Sequence, residues 1–504
     1  MPTNGALSDI PANWKQPLFW LTVDGSQAGL STQREPVLQV GQMLPQGVAA
    51  KNVPIAVGSP ENAAALFGYG SMLHRMAIVH FRIAPYHELW MMALADPAAG
   101  VAATGAIAVT TAPTTAGTIP FYIAGQVVSV LANGSDTAGQ LATKIAAAIN
   151  AVSMLPVSAA VDGTNPAKVN LTCDWKGLTG NDIQLLDCFY GSIGGEVLPA
   201  GLVLAYTAMS GGTGSPDMTA AIPAIGDDEY DYVALPFTDS VSLALWEIEY
   251  GFTPSGRWGW ARQLYGGIFS ARRDTYANLM TFGPTRNSPN VSIMPVEPTA
   301  QAPIWEITAA YAAAAADALL NAPARPLHTL EFTGILPAQR QGRFNGNQRQ
   351  ALATAGLAMQ GVAPSGDMMI LREQTTYQVN QYGQSDDAYE LVTTLFTLAR
   401  LFRRMKSSVT SKFGRHQLAN DDTAFADGLA IVTPSIVKSE LLSEYNSAVF
   451  DGLAENFENF KNNLSVERDK NIPTRLNVVY PPDIANGLRT FAVLAQFRLQ
   501  FGRA

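Results

Sequence analysis

The run Thr490–Phe501, T-F-A-V-L-A-Q-F-R-L-Q-F, puts Phe491, Val493, Ala495, Phe497, Leu499 and Phe501 on one face of a strand. Thr490, Gln496, Arg498 and Gln500 fall on the other. Side chains alternate across a strand with period two, and an unpaired strand offers free N–H and C=O groups to whatever it meets. The pattern therefore demands a partner strand, either in the same fold or in a second copy of the chain.

With 504 residues the chain exceeds what one hydrophobic core supports and is expected to form two to four domains. Charged residues make up 14%, well below the usual quarter, so much of the surface is expected to be covered by partners in the working state. A net charge of −9 excludes a general nucleic-acid binder, which needs concentrated Lys and Arg, and disfavours membrane-surface binding. Cys173 and Cys188 read as small buried hydrophobes, not a disulfide framework. The apolar run from Pro17 to Val23 is too short for a signal-peptide core. Pro97 to Ser135 lacks charge, but its Gly, Thr and Pro and the alternation from Phe121 to Leu131 favour strands over a membrane helix.

Composition and periodicity divide the chain into an arm at 1–30, a first α/β portion at 31–96, a β-rich insert at 97–210, a continued α/β portion at 211–489, and a terminal strand at 490–504. The first arm is spaced by Pro2, Pro11 and Pro17 and carries one apolar strand, Leu18 to Val23. The α/β portion predicts a strand near Val53 to Val57, a helix from Glu61 to Phe67 and a helical stretch from Ser71 to Ala95 broken at Pro85. In the insert, Asp136-Thr137 caps a helix over Ala138 to Ala151, between strands at Ala106 to Thr110, Phe121 to Leu131, Val157 to Val161 and Lys168 to Cys173. Further helices are predicted at Ile304 to Asn321, from Ser385 to about Lys406, and from Pro434 to about Phe460; strands are predicted at Tyr232 to Leu235, Met368 to Leu371 and Arg475 to Tyr480.

No catalytic or metal pattern is complete. His87-Glu88-Leu89-Trp90-Met91 has Met where a zinc helix needs its second His, and reads as a helix with His87 at its surface. Ser71 lacks the G-x-S-x-G frame, and Gly211-Gly212-Thr213-Gly214 lacks the lysine of a phosphate loop and reads as a hinge. Asp227, Asp228, Glu229 and Asp231 read as a solvated loop. No cofactor is expected. One charge cluster stands out in this acidic chain: Arg400, Arg403, Arg404, Lys406, Lys412, Arg415 and His416. It serves either as dipole partners at a helix C-terminus or as a cationic strip for an acidic protein surface.

Met368-Met369-Ile370-Leu371-Arg372-Glu373-Gln374-Thr375-Thr376-Tyr377-Gln378, followed by Asn380, Gly383 and Asp386-Asp387-Ala388-Tyr389, resembles the signature of contractile phage tail sheath proteins. In the same order, the chain also has Ser210 to Gly214 leading to Asp231 to Asp239, Pro323 to Leu327 with Gly334-Ile335, and Leu476 to Pro482, an order similar to the phage Mu-like subgroup. The resemblance implies an α/β and α+β multidomain fold: a non-catalytic, subtilisin-like α/β sandwich core, an inserted outward-facing β-rich domain, and extended N- and C-terminal arms. It implies that Leu18, Phe19, Trp20, Leu21 and Val23, with Phe491, Val493, Phe497, Leu499 and Phe501, exchange between subunits by strand addition. It further implies hexameric rings stacked around a tail tube, contraction that drives the tube through a bacterial envelope, and partners in the tube, baseplate and tail terminator proteins. The location implied is the virion tail, assembled in the host bacterial cytoplasm. Arg400, Arg403, Arg404, Lys406, Lys412 and Arg415 become a candidate tube-facing strip, and charge reversal at Arg403 and Arg404 is expected to weaken docking with little loss of thermal stability. The alternatives are the sheath of a phage-derived bacterial injection particle, a hydrolase on the same sandwich, and a monomeric binding protein whose last strand sits in its own sheet.

Overall fold

The computed structural model describes residues 34–426 and 428–499. The expected strand Leu18 to Val23 and residue Phe501 lie outside them. The central element is a six-stranded sheet in the order Val291–Val296, Gly267–Arg273, Tyr232–Ala234, Val37–Gln42, Leu89–Leu94, Pro54–Val57. Neighbours pair parallel up to Leu89–Leu94, and Pro54–Val57 closes the edge antiparallel. Every residue of Val37–Gln42 and Val291–Val296 is buried, as expected when a parallel sheet is covered on both faces.

The helix Ile304–Asn321 lies against this sheet and against the helix Met72–Ile83. Its alanines, among them Ala309, Ala310, Ala312 and Ala316, are fully buried, and such small side chains let backbones approach closely. Beside it, Phe396 stacks on Tyr232 at 4.9 Å between ring centroids, which seats the helix Val392–Phe413 on the same strands.

Residues 97–210 form a four-stranded antiparallel sheet, Val203–Ser210, Ala102–Thr111, Lys168–Lys176 and Val157–Val161, and a three-stranded sheet, Gln126–Ala132, Gly117–Ile123 and Leu185–Asp187. The helix Ala138–Ala151 begins in a full capping box between Thr137 and Gln140. The single strand expected over Phe121 to Leu131 is a hairpin, because Ala124 and Gly125 both take positive φ, the pattern of a type I′ turn. These residues share one continuous core with the central sheet. Arg75, almost fully buried, binds Glu306 at 2.6 Å and donates to Met154 O at 2.9 Å and Ala124 O at 2.8 Å, while Trp175 packs edge-on against Trp305.

A second, smaller core gathers Leu401, Val437, Leu441, Tyr445, Leu453 and Phe460. It is built from the far half of Val392–Phe413, the helices Pro434–Phe450 and Phe457–Asn463, and the hairpin Ser465–Arg468 with Leu476–Val479. Thr433 caps Pro434–Phe450 through its hydroxyl.

Four expectations are corrected. The helix expected from Ser385 begins at Val392, because Asp386 is engaged by the Tyr377 hydroxyl and the Ala388 N–H instead of capping a helix. The helix from Pro434 stops at Phe450; Gly452 and Asn456 then take positive φ and turn the chain. His87 is not on a helix surface: it is buried in the turn before Leu89–Leu94, with Nε2 2.7 Å from Glu35 O. The run from Thr490 forms no strand through Leu499, since no strand of the same chain lies beside it.

Candidate assembly surfaces

The run after Arg489 is the most exposed apolar segment among the described residues. Phe491, Val493, Leu494, Phe497 and Leu499 are between 68% and 94% exposed. Large apolar side chains gathered this way mark an interaction site, since monomers rarely leave contiguous apolar area uncovered. Leu494 adds an apolar group on the face the sequence pattern treats as polar.

A second open surface lies just upstream. Ser465–Arg468 and Leu476–Val479 pair only with each other, and Val478 and Val479 are exposed. A two-stranded ribbon is marginal alone and gains stability from further strands.

The basic cluster is largely spent within the chain. Arg400 binds Glu35 at 2.9 Å and donates to Leu320 O. Arg403, 13% exposed at its side chain, binds Asp231 at 2.5 Å, Glu229 at 3.2 Å and Glu35 at 3.6 Å. Arg404 reaches Glu444 and Asp451, and Lys412 reaches Glu440. Lys406 and Arg415 are exposed and carry no recorded ion pair. The acids expected in a solvated loop are therefore divided: Asp231 is fully buried under Arg403, while Asp227 pairs with Arg262. Burial pushes the Asp231 carboxyl up to about 7, with Arg403 opposing and the Glu35 charge adding to the rise. Charge reversal at Arg403 would set a third carboxylate against these two, so the expected insensitivity of thermal stability does not hold.

The residues tested for chemistry have structural roles. Ser71 caps the helix Met72–Ile83, its hydroxyl accepting from His74 N–H at 3.1 Å. Gly212 exchanges hydrogen bonds with Asn181. Among the described residues no group of three or more His, Cys, Asp or Glu is placed to hold a metal, and no helix is long and apolar enough to cross a membrane.

The signature segment is a knot of internal bonds. Arg372 pairs with Glu390 at 2.7 Å, Glu373 with Arg489 at 2.5 Å, Tyr377 with Asp386 at 2.6 Å, and Gln374 donates to Ala353 O at 2.5 Å. Sequence reading singled out none of Glu35, Glu373 or Arg489 for a role. The available signal was the motif itself, whose Glu373 is a carboxylate inside an otherwise apolar and hydroxyl-rich run.

Comparison with known proteins agrees with this architecture. Residues 211–376 match the phage tail sheath protein central domain and residues 384–498 the phage tail sheath C-terminal domain. The Mu-like prophage FluMu tail sheath protein of Haemophilus influenzae is 35% identical over 496 residues, covering 98% of this chain and 99% of that one. The chain belongs to the phage tail sheath family, and within it resembles the Mu-like sheaths. Two crystal structures of sheath tail proteins align over most of the chain: one from Desulfitobacterium hafniense (13% identity, 94% of this chain and 97% of that one, TM-score 0.49), the other from Listeria innocua (9%, 92% and 94%, TM-score 0.48).

Proposed function

We propose that this chain polymerises as hexameric rings stacked around a tail tube, and that the stack shortens in one cooperative step to drive the tube through a bacterial envelope. The observation that carries this reading is the exposed apolar run from Phe491 to Leu499 with no strand partner in its own chain. The open hairpin Ser465–Val479 supplies a complementary acceptor. Strand addition between copies satisfies both, and a head-to-tail contact of this kind propagates into rings and helices instead of closing as a dimer. Leu18, Phe19, Trp20, Leu21 and Val23 would act as the second exchanged strand, and Phe501 would extend the first.

The mostly parallel, helix-covered sheet supports reading the core as the non-catalytic subtilisin-like sandwich of sheaths, with residues 97–210 as the outward domain. Baseplate and terminator proteins would bound the stack. For the tube, Lys406 and Arg415 are the cluster members left for docking, since Arg400, Arg403, Arg404 and Lys412 bind acids of their own chain. Work would come from a metastable extended lattice. At roughly 25 cal/mol per Å², a further few hundred Å² buried per subunit on contraction supplies several kcal/mol before polar desolvation. Truncation after Arg489 tests the reading: a folded chain that forms no tubular polymer under the electron microscope is expected, and polymers from the truncated chain would refute it.

A further inference from the structure

Between the hairpin and the exposed run, residues 481–489 form a strap across the body. Glu455 N–H donates to Asp483 O at 2.9 Å and Ala485 N–H to Leu453 O at 3.1 Å. Gly487 lies so close to Pro326 that a Cβ would sit 2.3 Å from the ring, so the strap is seated against the chain below it. It ends at Arg489, whose Nη2 donates to Glu373 Oε1 at 2.5 Å and Thr393 Oγ1 at 3.1 Å.

Glu373 is fully buried, its other oxygen has no hydrogen-bond partner, and Arg489 is its recorded ion-pair partner. A buried carboxylate stripped of its cation is strongly unfavourable, so Glu373 holds Arg489 in place. From Phe491 to Leu499 every residue is exposed, which makes Arg489 the last firmly held residue of the chain that is described.

Thr393 belongs to the first turn of Val392–Phe413, and the same helix carries Arg400 and Arg403, which bind Glu35 at the start of the described chain. The contacts at the two ends are seven and ten residues apart on one helix, roughly 10 to 15 Å at about 1.5 Å per residue.

We propose that Arg489, latched to buried Glu373, is a positioning residue that fixes the launch point of the C-terminal arm, and that Val392–Phe413 holds this point at a set distance from the Glu35 root. The inference rests on the arm-exchange reading above and adds the element that aims the arm. With the latch closed, the arm starts from the signature knot and not from the unit that carries the hairpin. Released, the strap gains slack, and the run from Phe491 can fold back onto its own hairpin instead of reaching a second copy.

The test uses the full chain. Arg489→Met is expected to lower Tm, because Glu373 is left buried and unpaired; Arg489→Met with Glu373→Gln regains it. The double variant is nevertheless expected to polymerise only at about tenfold higher concentration, as for a competent state populated near one part in ten. Adding Val478→Cys and Phe497→Cys to the double variant is expected to raise within-chain crosslinking in dilute solution over the same cysteine pair in the latched chain. A double variant that regains wild-type Tm and polymerises at the wild-type concentration overturns the latch, whatever its crosslinking. Polymers from the chain truncated after Arg489 overturn the arm-exchange reading itself, a result distinct from failure of the latch.

Discussion

Replacing Arg403 by Gln tests the charge network beneath the long helix. The guanidinium is the cation recorded beside Asp231, whose side chain is 1% exposed and whose Oδ2 has no hydrogen-bond partner. Glu35 keeps Arg400 at 2.9 Å and the Tyr232 hydroxyl at 2.8 Å, so the loss concentrates on Asp231. Breaking a buried pair by removing one partner costs about 3–5 kcal/mol, a large part of a stability on the order of 5–15 kcal/mol. Burial already pushes the Asp231 carboxyl from 3.8 up to about 7 with Arg403 opposing, and removal of Arg403 drives it further in the same direction. Between that raised value and 3.8 the folded variant holds a proton that the unfolded chain does not, so its deficit relative to wild type shrinks as pH falls. Thermal unfolding of both proteins is to be followed at pH 8 and pH 5.5, with Asp231→Asn added to Arg403→Gln as the control that removes the stranded charge. The expected result is a large deficit at pH 8, a smaller one at pH 5.5, and recovery of most of it in the double variant. A deficit below about 1 kcal/mol, the size of an exposed pair, or one that does not change with pH, refutes the reasoning.

Three further outcomes are expected. Burial depresses His80 to about 4, so the unfolded chain takes up a proton near 6.5 that the folded chain refuses, and stability is lost as pH falls from 6.5 towards 4. The effect is about 2 kcal/mol at pH 5, and the pH slope of unfolding in His80→Gln should lack it. Arg75→Met strands Glu306 and two carbonyls and should cost about 3–5 kcal/mol, largely recovered by adding Glu306→Gln, as calorimetry of the three variants would show. Lys406→Glu with Arg415→Glu should leave Tm within about 2 °C, since surface changes stay within about 0.5 kcal/mol, while weakening sheath–tube co-assembly as scored by electron microscopy. Unchanged co-assembly would remove the cluster from the tube interface.

Much of the fold is legible in the sequence wherever one face meets water. The helix Ala138–Ala151 announces itself by a cap and a single apolar stripe, and Pro434 after Thr433 marks a helix start. The strands Val37–Gln42, Gly267–Arg273 and Val291–Val296 escape notice because burial on both faces erases the alternation that would betray them. Asp386-Asp387 reads as a helix start because capping chemistry is local, whereas its real partner, Tyr377, is brought to it by a turn. At the assembly surfaces, the exposed face of the terminal run follows from period two. The ion pairs that absorb the basic cluster do not: Arg400 and Arg403 meet Glu35 across more than three hundred residues of chain, and spacing along the sequence carries no trace of that.

The uncovered run from Phe491 to Leu499 also bears on how long a single copy survives. An extended, irregular segment with every residue exposed fits a protease cleft without prior unfolding, so its cleavage is not slowed by the stability of the body behind it. Once such a segment is paired as a strand, cleavage must wait for the pairing to open. Under the exchange reading, surplus copies would be trimmed and lose the ability to join while incorporated ones persist, so that the lifetime of a subunit is decided by whether it has found its neighbours.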